Sequence, residues 1–177
     1  MSLLKTVAVN EADGKVKEIY DEIQNTFGQI PNGIQLWSMD PKALEDQWSH
    51  IKETLSMDKD TQKLHTILRF LTAKDVDCKY CVGFNAGMLI NMFGMNMDEL
   101  EGMKKSPLQA PLNEKNKELL VFTLKALKNA HEVNSRDIEK LEKLGLNQME
   151  IFDTVRRASH MLVVTTLFDT FKVEKDI

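Results

Sequence analysis

Apolar residues recur three and four positions apart along almost the whole chain, and no segment alternates with the period of two that a strand requires. That spacing restricts the chain to an all-α fold. Val16, Ile19, Tyr20, Ile23 and Phe27 mark the first amphipathic helix, which Gly28, Pro31 and Gly33 end. Asp40 before Pro41 reads as an N-cap with proline at the first helical position, and Leu44, Trp48, Ile51 and Leu55 continue that helix on one face. Asp58 or Asp60 opens a third, with Leu64, Ile67, Leu68 and Leu71 inward, weakening near Asp75–Asp77. Another runs from about Cys78 to Phe93, with Gly94 as C-cap, and a short one covers Asn96 to Lys105. Pro107 and Pro111 mark an irregular link. Asn113 opens a helix through Leu120, Leu124 and Leu127, and Asn134 or Ser135 caps one that ends at Gly145. Asn147 with Glu150 has the spacing of a capping box and starts the last helix, through Ile151, Val155, Leu162 and Phe168. The expectation is one all-α domain over 1–177, a compact bundle of roughly seven or eight helices. It has an N-terminal helical extension at 1–40, a cysteine-bearing core at 41–130 and C-terminal helices at 131–177.

The 177 residues carry 23 Lys and Arg against 27 Asp and Glu, a net charge of −4. Scattered charge with an acidic balance argues against a nucleic-acid surface. The longest uncharged stretch, Tyr80 to Met97, is interrupted by three glycines and three asparagines and does not read as a membrane span. The opening residues lack the apolar run of a secretory leader, so a cytoplasmic location is the default expectation. In that compartment two close cysteines point to catalysis, redox exchange or metal binding rather than a structural disulfide.

The two cysteines are Cys78 and Cys81, in Asp77-Cys78-Lys79-Tyr80-Cys81. On a helix, residues i and i+3 share a face, so both sulfurs point the same way. At a helix N-terminus the backbone dipoles favour thiolate over thiol. A thiolate attacks a peroxide or a disulfide, and its neighbour resolves the product into an intramolecular disulfide. Lys79 adds positive potential, whereas Asp75 and Asp77 oppose ionisation. Two small packed residues without chemistry would use the same residue types. A zinc site would need two further ligands, and His50, His65, His131 and His160 are too scattered to supply them. No metal and no cofactor is expected.

The segment LHTILRFLTAKDVDCKYCVGFNAGML, Leu64 to Leu89, resembles the alkylhydroperoxidase D-like / carboxymuconolactone decarboxylase family. The upstream stretch Val16 to Glu45 looks like its peroxidase-related branch, and the likeness covers roughly residues 14 to 130. The resemblance implies all-α subunits that form dimers, trimers or hexamers. It implies that Cys78 and Cys81 reduce hydroperoxides or small disulfides and are re-reduced by a thiol- or lipoyl-bearing partner protein. The family histidine, four residues after the second cysteine, falls at Asn85, and the family glutamate falls at Thr66. Neither can act as a general base near neutral pH. His65 is adjacent to the glutamate position, but neighbours on a helix point about 100° apart. Asn85 is one turn beyond Cys81 and suited to orient a thiolate, and Tyr80 occupies the position between the cysteines. The departures leave open an alternative: a non-redox or impaired member, either a binding protein or a decarboxylase-like lyase.

Met88, Met92, Met95, Met97 and Met103 are half of the ten methionines. They suit core or interface packing, or an adaptable apolar pocket beside the cysteines. Phe84, Met88 and Met92 share one helix whose apolar sides one small subunit cannot all bury, which favours a homo-oligomer. Trp37 and Trp48 read as core anchors, and Glu139 to Lys143 as a solvated face.

Overall fold

The computed structural model describes residues 2–176. Among these the chain forms nine α-helices, three short 3-10 turns and no strand. The additional helix is α2, Asn32–Trp37, six residues in the stretch that the Pro31 and Gly33 signals mark as irregular. Pro31 does not break it, because proline stands at its N-cap, where no intrahelical N–H is required. The described residues fall into two compact units, 2–57 with 166–176, and 58–165.

The first unit holds α1 (Gly14–Phe27), α2 and α3 (Pro41–Leu55). Gly28 ends α1 in the left-handed conformation at φ 76°. Asp40 caps α3, its side chain accepting from the Lys42 N–H at 2.9 Å. Val16, Ile19, Tyr20, Ile23, Ile34, Leu44 and Trp48 form the core of this unit. Trp48 is a core anchor, edge-on to Phe27 at 5.9 Å, whereas Trp37 is only half-buried at the rim.

The second unit contains α4 (Lys59–Asp75), α5 (Lys79–Phe93), α6 (Met97–Lys105), α7 (Glu114–Lys128) and α8 (Ser135–Lys143). The last helix, α9 (Gln148–Thr170), supplies its residues through Thr165. Helices α4 and α5 pack on each other as a hairpin. Leu64, Ile67, Leu68, Phe70, Leu89, Met95, Leu100, Met103 and Leu120 are among the residues of a continuous core. The methionines therefore divide: Met95 and Met103 are buried packing, while Met92 and Met97 are exposed. No helix among the described residues is long and apolar enough to cross a membrane.

Candidate functional site

The reversal between α4 and α5 takes three residues. The Cys78 N–H reaches back to the Ala73 carbonyl at 3.0 Å, and the Asp77 N–H to that of Lys74 at 3.2 Å. This is a Schellman closure with Asp77, at φ 58°, in the left-handed position usually held by glycine. Aspartate tolerates that conformation better than most residues. Cys78 then serves as N-cap of α5, and its carbonyl accepts the first helical bond from the Val82 N–H at 2.9 Å. The helix thus begins at Lys79, one residue later than the sequence suggests.

Cys78 and Cys81 stand at N-cap and N3, the two positions that a capping box brings together. With 100° between successive residues, Cys78, Cys81, Asn85 and Leu89 occupy one sector of α5. All four are buried, the two cysteines at 0% and 2% exposure, and both are thiols. Tyr80 is also buried and stacks on Phe84 with ring centroids 6.1 Å apart. Helix α5 has no side-chain N-cap bond. A thiolate on Cys78 would occupy the slot in which an oxygen ordinarily accepts from the first-turn N–H groups.

Asn85 and Thr66 are brought together by a residue that the motif reading passes over. The Arg69 Nε donates to Asn85 Oδ1 at 3.0 Å, and its Nη2 donates to Thr66 Oγ1 at 3.0 Å. Asn85 Nδ2 in turn donates to the Cys81 carbonyl at 2.8 Å, and the Thr66 hydroxyl to the Gln62 carbonyl at 2.8 Å. The hairpin register explains the meeting: Arg69 lies six residues before the end of α4, and Asn85 six after the start of α5. Burial pulls the Arg69 pKa down to about 10, which leaves it charged at neutral pH. Among the described residues its hydrogen-bond partners are these two neutral side chains, and no carboxylate pairs with it. The sequence held a signal for it: one arginine inside the otherwise apolar run Ile67-Leu68-Arg69-Phe70-Leu71. His65 is buried on α4 beside Thr66. At the end of α4, Asp75 is bridged by Lys128 at 2.6 Å and Lys74 at 3.1 Å. Among the described residues no three of His, Cys, Asp or Glu converge as a metal-binding group.

The architecture has close counterparts among solved structures. A peroxidase-related protein of Ralstonia eutropha, whose structure is described as an alkylhydroperoxidase AhpD core, superposes with a TM-score of 0.84, covering 99% of this chain and 92% of that one at 18% identity. The fold is alkylhydroperoxidase-like. A second peroxidase-related protein, from a Silicibacter species, superposes with a TM-score of 0.82 at 16% identity, again over 99% and 92% of the two chains. An alkyl hydroperoxide reductase of Mycobacterium tuberculosis is 28% identical over 86 residues, which are 49% of this chain and 25% of that relative. No family model matches the chain. The alkylhydroperoxidase-like resemblance carried by the cysteine segment thus agrees with the sequence likeness and with the fold.

Proposed function

We propose that the chain is a thiol-dependent oxidoreductase that reduces an organic hydroperoxide or a small disulfide through Cys78 and Cys81. The observation that carries this reading is the placement of both thiols in the first turn of α5, at N-cap and N3, on one face. One thiolate attacks the terminal peroxide oxygen; the O–O bond breaks, a sulfenic acid forms and the alkoxide leaves. The second thiol displaces hydroxide from the sulfenic sulfur, closing the disulfide and completing a two-electron reduction of the peroxide to alcohol and water. A thiol- or lipoyl-bearing protein restores the two thiols. Asn85 and Thr66 supply no titratable proton donor, so water protonates the alkoxide and turnover is slow. A reducing compartment, the cytoplasm, maintains the two-thiol resting state.

The test is to add an organic hydroperoxide and count thiols in wild type, Cys78→Ser and Cys81→Ser. The wild-type pair should lose both thiols together, and the single variant that keeps the attacking cysteine should stop at a sulfenic acid that a dimedone probe traps, while the other should keep its thiol. A wild-type titre that does not change under peroxide excludes the reading. The near-complete burial of both cysteines favours a second one, in which they are packing residues of a non-redox binding protein. Alkylation separates the two. A redox pair reacts with a small methanethiosulfonate reagent at neutral pH, whereas packed thiols react only as fast as the protein unfolds.

A further inference from the structure

Arg69 is a half-buried cation that the cysteine chemistry does not consume. A guanidinium has five N–H donors. Two of them, on Nε and Nη2, are taken by the neutral oxygens of Asn85 and Thr66. Those bonds fix the inner edge of the group. The outer edge has no acceptor among the described residues, and the side chain is only half-buried, so that edge stays open. The chain has more acidic than basic residues, yet none of the described acids is placed against this charge. A partly buried charge lacking a counter-ion is destabilising, and an apolar side chain of the same length would fill the space without that cost. The cysteine turn and Arg69 are joined through one side chain. Asn85 stands between, its carbonyl oxygen toward Arg69 and its amide nitrogen toward the Cys81 carbonyl.

We propose that the outer edge of Arg69 is a binding site for a carboxylate on the substrate, so that the preferred oxidant is a small organic hydroperoxide carrying an acid group. The inference rests on the thiol chemistry proposed above and names its substrate class. A carboxylate matches the two parallel N–H bonds that a guanidinium edge offers. Asn85, which Arg69 grips, is four residues beyond Cys81, about 6 Å along the helix axis. The acid and the peroxide therefore lie a short chain apart, which excludes a peroxide carried deep in a long acyl tail.

The test uses the full chain and a matched pair of oxidants, an ω-hydroperoxy acid of about six carbons and its methyl ester. Wild type should be oxidised at least about tenfold faster by the acid than by the ester. The acid-to-ester ratio should fall to about one in Arg69→Met and keep part of its value in Arg69→Lys. A ratio near one in wild type, or a ratio unchanged in Arg69→Met, overturns the proposal; the latter would assign the cation to the thiols or to the fold. Titration with hexanoate and with hexanol, followed by NMR on the Cys78→Ser/Cys81→Ser variant, reads binding without redox chemistry. Saturable binding of hexanoate alone, lost on Arg69→Met, sustains the site even if no peroxide oxidises the pair. No hexanoate binding in the millimolar range sinks it even if the pair is redox-active.

Discussion

The guanidinium of Arg69 is held by neutral oxygens, and burial pulls its pKa down from the ordinary arginine range to about 10. A base whose pKa is depressed on folding is charged at a cost in the folded state. That cost is present in full at neutral pH and is relieved as pH rises through about 10. Arg69→Met relieves that cost but strands the buried Asn85 and Thr66 oxygens, so it is expected to lie within about 1 kcal/mol of wild type in urea unfolding at pH 7. A loss of more than about 2 kcal/mol would show that the arginine serves the fold instead. Thr66→Val and Asn85→Leu each remove an acceptor while leaving the guanidinium in place, and should cost about 1–3 kcal/mol. Combined with Arg69→Met, their penalties should shrink, because the stranded donor is gone. That the two cysteines share one buried face was legible from their spacing of three. The bond from Arg69 to Asn85 was not, because it joins residues sixteen apart on two helices whose register depends on a three-residue reversal.

The helix boundaries rest on local chemistry, and there the sequence was informative. Asn147 and Glu150 form the reciprocal pair that their spacing suggests, with Glu150 N–H to Asn147 Oδ1 at 2.9 Å and Asn147 N–H to Glu150 Oε2 at 2.7 Å. Asn96 with Glu99, and Asn134 with Asp137, make the same box at α6 and α8. Asn147→Ala should cost about 1 kcal/mol. The Asn147 N–H, followed by Lys115, holds the Glu150 carboxyl below its ordinary 4.5, against a smaller opposing effect of burial. The stability from this carboxylate is complete above pH 4.5 and is lost as pH falls through the lower folded value. Glu150→Gln should thus flatten the acid limb of a urea-midpoint profile and leave its shape near neutrality unchanged. An acid limb as steep as that of wild type would show that other carboxylates govern it. Helix α2 escaped the pattern because six residues are too few to display a period, and because Pro31 and Gly33 are breakers inside a helix but are compatible with its first turn.

For the whole molecule, α5 is the unusual member. Its buried sector holds Cys78, Cys81, Asn85 and Leu89, while Gly83, Gly87 and Ile90 lie together on the opposite side. A Cβ built on either glycine meets nothing within 4 Å, and Ile90 is 38% exposed. In a homo-oligomer of the kind expected from the apolar character of this helix, that side would face a second copy. Sedimentation should then report a species well above 20.3 kDa, and Ile90→Lys should shift it toward the monomer. A wild-type chain that sediments as a monomer at micromolar concentration would remove the expectation. The Asp77 position yields a complementary measurement on the hairpin itself. Asp77→Gly should be neutral or stabilising, and Asp77→Val should cost about 1–2 kcal/mol, because a branched side chain resists φ 58°. The closure that Asp77 permits also fastens Cys78 from both directions, its amide to α4 and its carbonyl to α5. With the main chain pinned there, the sulfur of Cys78 has one rotation left to it, about its own Cα–Cβ bond. Electron transfer at this corner would then proceed like the throw of a single latch, with neither helix required to unwind as the pair changes oxidation state.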